Sequence, residues 1–121
     1  MSNKTIFIFD DNKALLDTFS IVLESFGYKV ATSSTSHDII EKVENIKPDL
    51  IIMDNWIPDI GGIEATQLLK KHPQHRHIPV IFCSATNDLE SVANMAGAET
   101  YLSKPFDIDD LEQKIADLIN Y

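Results

Sequence analysis

The sequence predicts an α/β fold: a five-stranded parallel sheet, doubly wound in three layers with helices on both faces. Two observations carry this. Five short β-branched or aliphatic runs alternate with five longer stretches of helical periodicity, and no break between them reads as a linker. The central runs are also apolar almost without alternation, as in strands covered on both sides by helices. Right-handed crossovers between parallel strands then place helices on both faces.

Thr5-Ile6-Phe7-Ile8-Phe9 is the first run. After it, Leu15, Phe19, Val22 and Phe26 recur at helical steps and define the face expected to pack on the sheet, with Gly27 as terminator. Leu16 and Leu23 lie off that stripe and are expected to be partly exposed. Tyr28 to Thr32 is a more mixed strand suited to a sheet edge, and His37 to Ile46 is a second helix ending before Pro48. Ile51-Ile52-Met53 forms the third strand, and the third helix, Ile63 to Lys71, is entered through Gly61-Gly62 and closed near Pro73. Val80 to Cys83, a short helix from Asn87 to Ala96, and a mixed strand from Thr100 to Leu102 follow. After Pro105, Asp107 to Asn120 carries Ile108, Leu111, Ile115, Leu118 and Ile119 as the apolar stripe of the last helix.

A length of 121 residues is that of one domain, residues 1–121, and 44% hydrophobic content suits a core without staples. The single cysteine can form no intramolecular disulfide, a pattern of reducing compartments, so a cytoplasmic location is expected. No apolar run approaches the roughly 18 residues of a membrane span. Met1 to Phe9 lacks the apolar stretch of a signal peptide. A net charge of -9 disfavours broad electrostatic binding to nucleic acid or anionic lipid and leaves metal ions and protein partners open.

In an open parallel sheet, ligands sit beyond the carboxyl ends of the strands. Those ends carry Asp10-Asp11, Asp54, Ser84 and, shortly after the fifth run, Lys104. A lone Asp at a strand end is more often a helix cap or a solvated turn. It is the joint placement of these polar groups on one rim that points to a site. Packed carboxylates repel one another unless a cation offsets them. Oxygen donors without histidine or thiolate suit a hard divalent ion, Mg²⁺ better than Ca²⁺ and with Mn²⁺ as a substitute, held by Asp10, Asp11 and Asp54. Lys104 can pair with an Asp54 oxygen or with a phosphoryl oxygen, and Ser84 can donate to the same phosphoryl group. The set suits phosphoryl transfer, which needs mainly positioning and charge neutralisation. An Asp carboxylate can itself attack phosphorus, and Asp54, closing the most central apolar run, is the chosen acceptor.

These residues, with Asn55-Trp56-Ile57-Pro58-Asp59-Ile60-Gly61-Gly62 after Asp54, Ala85 after Ser84, and Pro105-Phe106 after Lys104, resemble the receiver domain of bacterial two-component response regulators. The resemblance covers nearly the whole chain. It implies a flavodoxin-like (βα)5 fold of strand order 2-1-3-4-5. It also implies a phosphorylation-driven signalling switch that catalyses its own phosphorylation and is no turnover enzyme. A histidine kinase or histidine phosphotransfer protein presents a phosphohistidine, and Asp54 attacks it with Mg²⁺ held by Asp10, Asp11, Asp54 and the backbone carbonyl of Trp56. Lys104 and Ser84 then recognise the phosphoryl group. Tyr101 is implied as an aromatic that turns inward when Ser84 moves toward the phosphate; outside the family it reads as a half-buried edge-strand residue. A cis Lys104-Pro105 bond is implied as well. No residues follow the fifth helix to form an output domain, so output is expected through contacts with a downstream protein. The family's usual exit is the face of helix four, strand five and helix five. A stand-alone regulator and a receiver from a larger kinase or regulator both fit.

Trp56 departs from the small or polar residues often found at its position, and Thr86 is neither acidic nor an amide. Both positions affect water attack on the acyl phosphate in the family. The indole is expected to limit water access and prolong the phosphorylated form; packing over the surface is the plain alternative. Lys70 to His77 gathers three of the four histidines. A metal or anion site there competes with a solvated Pro-containing loop, and the loop is the expectation. Cys83 is expected to be a buried small hydrophobe without a redox role.

Three rivals stand beside the main reading. A Mg²⁺-dependent phosphohydrolase of related fold usually carries Asp-x-Asp, a spacing absent from Asp10-Asp11-Asn12. A nucleotide binder would need a Gly, Ser and Thr-rich loop after strand one, where two aspartates repel phosphate. A binding module of the same fold without phosphorylation is the third.

Overall fold

In the computed structural model, which describes residues 4–119, strands and helices alternate strictly. They are β1 (Thr5–Phe9), α1 (Lys13–Ser25), β2 (Lys29–Ser33), α2 (Ile39–Ile46), β3 (Leu50–Asp54), α3 (Gly62–Lys71), β4 (Val80–Ser84), α4 (Leu89–Ala96), β5 (Thr100–Ser103) and α5 (Ile108–Ile119). The strands form one parallel sheet in the order β2-β1-β3-β4-β5. The most apolar run is therefore central and the two mixed runs are the edges.

Successive strand residues point to opposite faces, and here each face has its own core. Phe7, Phe9, Ile51, Met53, Val80 and Phe82 pack with residues of α2, α3 and α4. Ile6, Ile8, Leu50, Ile52, Ile81 and Cys83 face the other way, onto α1 and α5. Each fully buried aliphatic or Phe side chain contributes about 1.5–3 kcal/mol. Two covered faces are the reason the strand runs lack alternation, and they leave polar residues only the strand ends.

Several expectations shift. Leu16 and Leu23 are buried with Phe19 in the core of α1, while Leu15, Val22 and Phe26 pack only partly against it. The helix is rotated relative to the expected stripe, because its apolar arc is broad enough to allow either facing. Tyr28 is buried but precedes β2, since its N–H donates to the Leu23 carbonyl and closes α1. Asp38 adopts a left-handed conformation (φ 52°) and delays α2 to Ile39. Ile108 at the start of α5 is 47% exposed, Leu111 and Ile115 being the buried members of that stripe. Asn120 lies outside the described residues. The α3–β4 connection is not wholly solvated, for it buries His75 and Ile78.

Two devices hold the β3–α3 loop. Ser36, buried between β2 and α2, donates from its N–H and Oγ to the Pro58 carbonyl at 2.9 and 2.8 Å, and its Oγ accepts the Ile60 N–H at 3.0 Å. Gly62 sits so close to the end of β3 that a Cβ would lie 2.1 Å from the Asp54 carbonyl oxygen. Gly62→Ala is expected to destabilise the protein by about 1–3 kcal/mol, the range of overpacked sites. Urea denaturation checks this, and a neutral substitution would show that the loop does not depend on this close approach.

Candidate functional site

The carboxyl ends of β1, β3, β4 and β5 converge on one rim. Past β1, the Asp10 N–H donates to the Ser33 carbonyl at 3.1 Å and extends the pairing with β2. Its Oδ1 accepts the Asn12 N–H at 3.0 Å. Asn12 in turn caps α1, its side chain accepting the Leu15 N–H at 3.1 Å. This turn leaves Asp10 2% exposed while Asp11 faces solvent. Asp54 is the last residue of β3 and is 4% exposed.

Lys104 reaches both buried carboxylates. Its Nζ donates to Asp10 Oδ2 at 2.6 Å and to Asp54 Oδ1 at 3.0 Å. Its own N–H donates to the Ser84 carbonyl at 3.0 Å, and the bond to Pro105 is cis. Phe106 stacks on Phe19 of α1 with centroids 4.7 Å apart, fixing the chain beyond the lysine.

Burial raises the pKa of Asp54; the Lys104 hydrogen bond opposes this, and the Asp10 charge adds to it. Burial acts to lower Lys104, but its bonds to Asp10 and Asp54 outweigh that and leave its pKa raised. One oxygen each from Asp10, Asp11 and Asp54 lies within 4.8 Å of the others. An octahedral ion with bonds of about 2.1 Å sets its ligands roughly 3–4 Å apart, so small side-chain movements would close the set on Mg²⁺. The all-oxygen donor set fits that ion.

The remaining expected residues surround this cluster. Ser84 ends β4 and is buried, its Oγ accepting the Thr86 N–H at 3.4 Å, while Thr86 is half-buried. Trp56, two residues beyond Asp54, is 73% exposed. Tyr101 on β5 is half-buried, with the Lys114 ammonium 5.3 Å from its ring centroid. Cys83 points into the α1–α5 core, where burial pushes its thiol up to about 12 and keeps it a hydrophobe. Sequence reasoning paired Lys104 with Asp54 and missed its shorter bond to Asp10. It also missed Ser36, which a run of Ser and Thr residues conceals.

Residues 6–116 match the response regulator receiver domain family. The chain is 32% identical over 108 residues to the polar-differentiation response regulator DivK of Brucella anthropi, covering 87% of each. It is 30% identical over 116 residues to the CAI-1 autoinducer sensor kinase/phosphatase CqsS of Vibrio cholerae, of which it spans only 17%. Its fold superposes with a TM-score of 0.89 on the receiver domain of a sensor histidine kinase from Pseudomonas aeruginosa. That structure has a magnesium ion coordinated in its active site cleft, is 25% identical, and is matched over 99% of this chain and 100% of the other.

Asp54 holds its proton more tightly folded than unfolded, so ionising it costs stability. Without divalent ions, this contribution is lost as pH rises from the ordinary value of 3.8 through the raised folded value. Asp54→Asn does not titrate there, so its stability relative to wild type is expected to grow with pH across that window and then level off. Denaturation in EDTA over a pH series reads this directly; a difference independent of pH would contradict the burial argument.

Proposed function

The chain belongs to the response regulator receiver domain family, and on that footing we propose that it is a phosphorylation-activated switch whose acceptor is Asp54. The observation that carries the proposal is Lys104 bridging two buried carboxylates, at 2.6 and 3.0 Å, beside a third exposed one. The donor is a phosphohistidine on a histidine kinase or histidine phosphotransfer protein. An Asp54 carboxylate oxygen attacks phosphorus, the new O–P bond forming as the P–N bond breaks and the leaving imidazole takes up a proton. Lys104 and the Ser84 hydroxyl then receive the phosphoryl oxygens.

Asp10, Asp11, Asp54 and the Trp56 carbonyl would hold Mg²⁺, which supplies charge neutralisation on the transferring group. A magnesium ion in the cleft of the Pseudomonas relative supports this set. Residues 1–121 act as one receiver unit, a switch and not a turnover enzyme, in the cytoplasm. No helix among the described residues is long and apolar enough to cross a membrane. Output passes to a downstream protein through α4, β5 and α5, where Met95 and Ile108 are 62% and 47% exposed. Tyr101 on that face follows Ser84.

Incubation with acetyl phosphate is expected to add one phosphoryl group by intact mass, only with Mg²⁺ and never in Asp54→Ala. An adduct that survives the mutation would remove Asp54 as acceptor; no adduct in Mg²⁺-bound wild type would favour a module that does not use phosphorylation. Trp56, with Thr86, tunes the lifetime of the phosphorylated form by limiting water access. Trp56→Ala is accordingly expected to shorten that lifetime severalfold in a time course of the phosphorylated mass. A wild-type half-life of seconds would defeat the shielding role.

A further inference from the structure

At the end of the sheet opposite the acidic rim, the connection from α3 to β4 places an imidazole in an unusual position. His75 is 8% exposed, and its Nε2 is buried without a hydrogen-bond partner among the described residues. Buried polar nitrogens are ordinarily satisfied. The group facing it is Glu44 on α2, whose Oε1 is 3.8 Å from Nε2. That gap is too long for a hydrogen bond, yet within the roughly 4 Å that two metal–ligand bonds of about 2 Å can span.

His72 completes the arrangement. The turn after α3 is closed by donation from the His75 and Arg76 N–H groups to the His72 carbonyl at 3.2 and 2.9 Å. The turn folds His75 back over His72, the rings stacking with centroids 4.3 Å apart. One donor atom each from Glu44, His72 and His75 lies within 4.8 Å of the others. Glu44 and His75, together with His77, line a cleft of about 470 Å³.

We infer that Glu44, His72 and His75 form a second metal site, selective for a transition-metal ion of the Zn²⁺ type. Two imidazoles and one carboxylate make a borderline-soft donor set that suits Zn²⁺ and does not suit Mg²⁺. The buried, unpartnered Nε2 of His75 is the fixed ligand. His72 Nδ1 accepts the Gln74 N–H at 3.2 Å. Binding at either His72 nitrogen gives up that bond, in an exposed turn where water replaces it. Glu44, half exposed, closes the remaining gap from one side, and His72 must turn off the His75 ring to bring its in-plane nitrogen to the same ion. The bound ion would tie α2 to the α3–β4 connection.

The test is calorimetric titration of Zn²⁺ into the full chain carrying Asp10→Asn, Asp11→Asn and Asp54→Asn, so that the rim offers no carboxylate. The expected result is one Zn²⁺ per chain, with affinity at least about tenfold weaker when either His72→Ala or Glu44→Gln is added. These two side chains are not deeply buried, so their loss leaves the core intact, whereas His75→Ala would open a cavity and confound the reading. Absence of Zn²⁺ binding, or binding that either added substitution leaves unweakened, overturns the assignment.

Discussion

Keeping Asp54 ionised while it is buried against a second carboxylate is the constraint on which the rest of the structure depends. Removing a charge from water costs several kcal/mol unless it is paired and hydrogen-bonded with good geometry. Lys104 is that pair for Asp54 and Asp10 together, from positions 50 and 94 residues away in the sequence. The contact forms only when β1, β3 and β5 end at the same level. Three carboxylates against one ammonium still leave the rim with excess negative charge, a balance that favours an added cation.

The two apolar cores set that level. Because both faces of the sheet are covered, a strand can neither slip nor rotate without driving a Phe or Ile into the wrong layer. The register that pairs Phe9 with Met53 and Met53 with Phe82 delivers Asp10, Asp54 and Ser84 to the same edge. The loops beyond are held by contacts of another kind: the Ser36 bridge to Pro58, the close approach of Gly62 to the Asp54 carbonyl, and Phe106 stacked on Phe19. Apolar packing thus sets where the strands end, and short polar and steric contacts aim the groups that follow them.

The architecture was legible because its two periodicities are strong and uninterrupted, and the rim because carboxylates directly after apolar runs stand out. Strand order came only with the family resemblance, since local pattern carries no information about which strands are neighbours. What stayed hidden depended on three-dimensional facing. Leu16 and Leu23 turn inward in place of Val22 and Phe26, because an apolar arc that wide does not determine its own rotation. The Lys104–Asp10 bond, the Ser36 bridge and the burial of His75 join segments far apart in sequence, and no spacing rule reaches them.

The same charge balance links the site to the sheet edge. In the structure Lys104 commits its ammonium to Asp10 Oδ2 and Asp54 Oδ1 at once. If Asp54 takes a phosphoryl group, the carboxylate loses its charge on forming the mixed anhydride, an acyl phosphate, and the negative charge moves outward to the phosphoryl oxygens. An ammonium held by Coulomb attraction follows that charge, weakening its hold on Asp54. Lys104 follows directly on β5 and is bonded through its N–H to the last residue of β4. A displacement of its side chain therefore pulls on the end of an edge strand, where fewer ladder bonds resist than at the centre. Lys104 is thus attached to one of the two edge strands of the sheet.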